Sequence, residues 1–89
     1  MTGIELITRE RKEQIEKHGR TIEDDVAYNN QNELIMGAMA LLTDDGMRMP
    51  AIWDMVVVQK MCAKPYKERL IVAGALIAAE IDRIQAGEK

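Results

Sequence analysis

The sequence predicts an all-α fold: one domain over 1–89, built as a bundle of four helices spanning roughly 3–18, 30–43, 51–63 and 66–86. Three observations point there. Two stretches, ELIMGAMALL from Glu33 and LIVAGALIAAEI from Leu70, are apolar and made of helix formers and small residues. The filling residues are Met, Ala, Leu and Ile, with no Phe, one Trp and two Tyr, a palette suited to helices rather than sheets. Gly, Pro and Asx residues stand between the helical stretches. A core so poor in aromatic residues is expected to be completed by homo-oligomerisation.

In the first helix Ile4, Ile7, Arg11, Ile15 and His18 share a stripe, and Gly19 stands where a left-handed residue closes a helix. Glu13 and Glu16 turn outward. Glu10 and Gln14 flank the stripe, four residues apart, and Arg11 lies in it. Two readings fit: a snorkelling arginine with ordinary border residues, or a pair, Glu10 and Gln14, looking into a shared pocket.

Residues 20–32 read as a long polar connection. Its acids Glu23, Asp24 and Asp25 are either dipole partners of the next helix or members of a site, and Asn29, Asn30 and Asn32 are alternative N-caps. The helix that follows is apolar nearly all round, so it is expected to be the most enclosed. Its one charge, Glu33, lies in the first turn, where the helix dipole also favours an acid.

Asp45-Gly46 marks a turn, and Pro50 suits the opening of a helix over 51–63. Val56, Val57 and Val58 weaken its helix propensity, but no partner strand exists elsewhere. Trp53 is expected in the core or at an oligomer contact. Lys64-Pro65 breaks the chain before the last helix, whose start carries Lys64, Lys67 and Arg69. Leu70, Gly74, Ile77, Ile81 and Ile84 share its expected buried face, with Ala75, Ala79 and Asp82 opposite. Glu80 falls at the apolar margin, where a carboxylate needs a cation.

Composition excludes several classes. A net charge of −3 with no basic stripe argues against nucleic-acid binding. The single cysteine, Cys62, allows neither an internal disulfide nor a multi-cysteine zinc site, and His18 is the only histidine. No phosphate-binding glycine loop, signal peptide or membrane span is visible, so a cytoplasmic location is expected. What remains is acids near apolar faces of separate helices. Glu10, Glu33 and Glu80 can converge when a bundle closes, joined by Asp24 or Asp25. All-oxygen ligation favours Mg²⁺, or Mn²⁺, and Arg11, Lys64, Lys67 and Arg69 would then face a polyphosphate. Such a site suits phosphoanhydride hydrolysis.

The run from Glu10 to Glu16 with Gly19, then Asp24-Asp25, Asn32-Glu33-Leu34, Lys64-Pro65, Arg69-Leu70 and AGALIAAEIDR, resembles small MazG-like proteins of phages and mobile elements, in the all-α NTP pyrophosphohydrolase superfamily. The likeness covers most of the chain. It implies oligomerising helical bundles, Mg²⁺, and conversion of a nucleoside triphosphate to monophosphate and pyrophosphate. Carried over by position, Glu33 matches the last acid of the superfamily's ExxE helix and Glu80 the first acid of its ExxD helix. On that reading Glu33, Glu80 and Asp24 hold metal, Glu10 and Asp25 position water, and Gln14, with Arg11, Lys64, Lys67 and Arg69, contacts the nucleotide. The chain also departs from the pattern: Asn30 and Arg83 stand where it has acids, and Asn32 replaces a glycine. Either Glu10, Asp24 and Asp25 fill the gap, or this is a non-enzymatic helical interaction protein of a mobile element that keeps the fold with an incomplete site.

Overall fold

The computed structural model describes residues 1–17, 21–29, 32–43, 49–50 and 53–87. Among them lie five helices and no strand: α1 (Gly3–Glu16), α2 (Ile22–Tyr28), α3 (Glu33–Thr43), α4 (Met55–Cys62) and α5 (Tyr66–Gly87). The expected stop at His18-Gly19, the cap Asn30, the turn at Asp45-Gly46 and the helical start at Ala51 lie outside the described residues.

Local chemistry explains the helix starts. Thr2 and Glu5 form a capping box on α1: Thr2 Oγ1 accepts from Glu5 N at 3.2 Å and Glu5 Oε1 from Thr2 N at 2.9 Å. The two bonds to Thr2, backbone first, lower the Glu5 pKa. Thr21 Oγ1 accepts from Asp24 N at 3.2 Å and starts α2 inside the segment expected to be a connection. That helix has no apolar stripe to announce it; its cap and first-turn acids make it. Asp54 Oδ1 accepts from Val56 N and Val57 N, so α4 begins at Met55 rather than just after Pro50.

The helix at the centre is α5, which packs on each of the other four and most extensively on α3. The expectation that α3 would be the most enclosed does not hold: Leu34, Ala38, Ala40 and Leu41 are buried, but Met36, Met39 and Leu42 are exposed. Apart from Gly74, which packs on α1, the expected faces of α5 are exchanged. Val72, Ala73, Ala75, Leu76 and Ala79 face the core, and Leu70, Ile77, Ile81 and Ile84 face outward, with Ile81 51% exposed. Small side chains decide this. A helix ringed by neighbours packs closest through its alanines, because axis separation follows the side chains at the contact. Met49, Val58 and Met61 complete the core, with Trp53 and Cys62 against it.

Two glycines mark close approaches. A Cβ on Gly37 would lie 2.6 Å from the Trp53 ring, and one on Gly74 would lie 2.7 Å from Ile7 Cδ1. The first lets the indole settle onto α3; the second lets α1 lie down on α5. No described helix is long and apolar enough to cross a membrane.

Candidate functional site

Four polar residues are buried among the described residues: Arg11, Gln14, Asp25 and Glu80. They come from α1, α2 and α5. Burying charge is costly unless partners compensate, so the partners define the site.

On α2, Asp25 sits one turn after the Thr21 cap and is 1% exposed. Its Oδ1 accepts from Asn29 Nδ2 at 2.9 Å, and Asn29 Oδ1 accepts from Trp53 Nε1 at 3.0 Å. This chain of bonds fixes the short helix to the segment preceding α4. On α1, Arg11 is the inward-facing cation. Its Nη2 donates to Asp82 Oδ2 at 3.3 Å and lies 4.0 Å from Asp25 Oδ2, so one guanidinium ties α1 to both α2 and α5.

On α5, Glu80 is 6% exposed and its Oε1 accepts from Arg83 Nε, one turn further along. The hydrogen bond to Glu80 raises the Arg83 pKa, and the charges of Glu80, Glu33 and Asp25 reinforce it against desolvation. Glu33, half-buried in the first turn of α3, joins the site electrostatically.

The other candidate residues separate from this centre to different degrees. Gln14 is buried one turn beyond Arg11, and its Nε2 donates to Glu10 Oε2 at 3.2 Å. Glu10 lines a groove of about 220 Å³ between α1 and the start of α5, together with Glu13, Lys64, Glu68 and Ile71. Asp24 is exposed beside the α2 cap, so the inward acid of the Asp24-Asp25 pair is Asp25. Lys67 is exposed. Arg69 is tied down within the fold: Nη1 donates to Leu41 O at 2.9 Å, Nε donates to Lys64 O at 3.2 Å, and its guanidinium lies 5.5 Å from the Tyr66 ring centre. It joins the last turn of α3 to the start of α5.

Among the described residues no group of three or more acidic, histidine or cysteine side chains is arranged to hold a metal ion. Mg²⁺ commonly takes one or two protein carboxylates and fills its remaining positions with water and phosphate oxygens. Glu80, with its Oε1 bonded to Arg83, and the half-buried Glu33 offer oxygen donors only.

No protein-family model, no curated protein and no solved structure matches this chain.

Four members of the network were not among the sequence candidates: Asn29, Trp53, Asp82 and Arg83. Asn29 looked like a cap for the following helix and instead caps the end of α2. Helical periodicity puts Asp82 on the solvent side of α5, and its contact with Arg11 follows from the exchanged faces. The spacing of Glu80 and Arg83, one turn apart, was the available signal for their pairing.

Proposed function

We propose that this chain is a Mg²⁺-dependent nucleoside triphosphate pyrophosphohydrolase. The observation that carries the reading is that Glu80 is buried on α5 against a cation, Arg83, while Asp25 is buried on α2 beside Arg11 and Glu33 opens α3 half-buried, so acids on three helices are turned inward. The residue pattern resembling MazG-like proteins supports the same assignment. Glu33 and Glu80 would hold Mg²⁺, which supplies charge neutralisation for the triphosphate and for the attacking water. Water oxygen bonds to phosphorus, the α–β phosphoanhydride bond breaks, pyrophosphate leaves, and the water proton passes to a carboxylate. Glu10, whose Oε2 accepts from Gln14 Nε2, is the carboxylate assigned to take it in this reading. Asp25 positions Arg11 and Asn29, and Lys64 lines the groove with Glu10 at the start of α5, away from Glu80.

The test is pyrophosphate release from nucleoside triphosphates with Mg²⁺, comparing wild type with Glu80→Gln. The variant is expected to lose the Mg²⁺-dependent activity while remaining helical. Full activity in Glu80→Gln removes Glu80 from the site.

A second reading is a non-enzymatic, self-associating helical protein. It is favoured by the outward Ile77, Ile81 and Ile84 of α5 and by Met36, Met39 and Leu42 of α3, an apolar surface that a second copy would bury. In this reading the Glu80–Arg83 pair gives structural register rather than chemistry. Thermal melting with and without Mg²⁺ and triphosphate separates the two, because only the hydrolase is stabilised by mass action.

A further inference from the structure

The outward side of α5 is an aliphatic row. Leu70, Ile77, Ile81 and Ile84 are 38–51% exposed, and the row carries no charge between Lys67 and Gln85. At Gly74, where the row lacks a side chain, Ile7 of α1 lies close enough to fill it. The groove takes the Leu6, Glu10 and Glu13 side of α1, so Ile4, 80% exposed, lies on the side of Ile7 away from the groove, where the row runs. The spacing of Leu70, Gly74, Ile77, Ile81 and Ile84 alternates four and three, an average of about 3.5 residues, and this repeat keeps one seam of a helix against another helix. Scattered exposed aliphatics need no explanation, but four in one seam do.

We propose that this seam is the contact between two copies of the chain, α5 against α5, antiparallel about a two-fold axis. This inference rests on the self-associating reading and names its surface. Area and charge select the occupant. The row leaves roughly 300 Å² of aliphatic surface per copy, and Ile4 raises it to roughly 450 Å². A homodimer buries about 800 Å² per partner, about 65% of it apolar, and two such surfaces come close to that need. Parallel copies would set Lys67 against Lys67. The antiparallel arrangement lays the Lys67 stem over Ile84 of the second copy and leaves its ammonium in water. In that register Leu70 meets Ile81 of the second copy, and Ile77 meets its Gly74 and Ile7, each contact made twice by symmetry.

The test is an isotope-filtered NOE experiment on mixed labelled and unlabelled wild-type protein, with the mass measured by light scattering. A mass twice that of one chain is expected, with intermolecular contacts between Leu70 and Ile81 methyl groups, and neither observation needs a variant to fold. Ile81→Lys, at a position 51% exposed, is expected to weaken association by about tenfold or more while circular dichroism stays helical, and Met39→Lys on α3 is expected to leave association unchanged. A dimer whose intermolecular contacts come from another surface, such as Met36 and Met39, or pair Leu70 with Leu70, overturns the seam and leaves self-association standing. So does an Ile81→Lys chain that associates as tightly as wild type. A single-chain mass at NMR concentration overturns the seam and the self-associating reading together.

Discussion

Asp25→Ala tests whether the buried cluster holds the bundle together. Asp25 is 1% exposed, accepts from Asn29 Nδ2 at 2.9 Å and lies 4.0 Å from Arg11 Nη2. Removing one partner of a buried ion pair costs about 3–5 kcal/mol when the other charge is left uncompensated. Here Arg11 keeps Asp82 at 3.3 Å, on a side chain 38% exposed, so the loss falls to roughly 2–3 kcal/mol. For a domain of this size each kcal/mol lowers the midpoint by about 4–8 °C, which gives a Tm drop of roughly 8–24 °C. Because α2 is only seven residues long, it does not persist undocked, and its amides are expected to lose hydrogen-exchange protection first. Urea unfolding of Asp25→Ala, Arg11→Met and the double variant measures the coupling, expected at about 1–2 kcal/mol. A single-variant loss under about 0.5 kcal/mol, or additive variants, refutes the claim that this pair ties α1 to α2.

Two further outcomes follow from packing and capping. Gly37→Ala gains about 1 kcal/mol of helix propensity but places a Cβ 2.6 Å from the Trp53 ring, and overpacking costs about 1–3 kcal/mol. Displacing the indole also strains its bond to Asn29, so a net loss of about 1–2 kcal/mol with altered tryptophan fluorescence is expected; a variant as stable as wild type contradicts it. Glu5 has a lowered pKa in the folded chain, so its contribution to the start of α1 is full at neutral pH and fades as pH falls through that lowered value. Helicity of wild type and Glu5→Gln should therefore differ at pH 7 and converge in acid, and a difference that persists in acid excludes the capping-box carboxylate as its source.

How much could be read beforehand depends on the kind of signal each residue carries. Glu80 was conspicuous as the only charge in a twelve-residue apolar run, and it is buried against a cation. Asp25 was not separable from Asp24 in the sequence. The Thr21 cap starts a short helix there and turns Asp25 inward, leaving Asp24 exposed. Asn32, at the start of α3, has a φ of 71°, in the left-handed region, which Asn tolerates better than most residues.

The amino-acid sequence by itself determined the helical class, the strong helices expected at 30–43 and 66–86 and found at Glu33–Thr43 and Tyr66–Gly87, and the presence of acids in apolar surroundings, because periodicity, propensity and burial cost are local properties of residue order. Only the tertiary structure decided which face of α5 turns inward. Both faces are apolar enough to be buried, and the choice went to the alanines because they let the neighbouring helices come closest. That choice brought Asp82 to Arg11. Such partnerships arise between residues far apart in the chain, and no spacing along it encodes them.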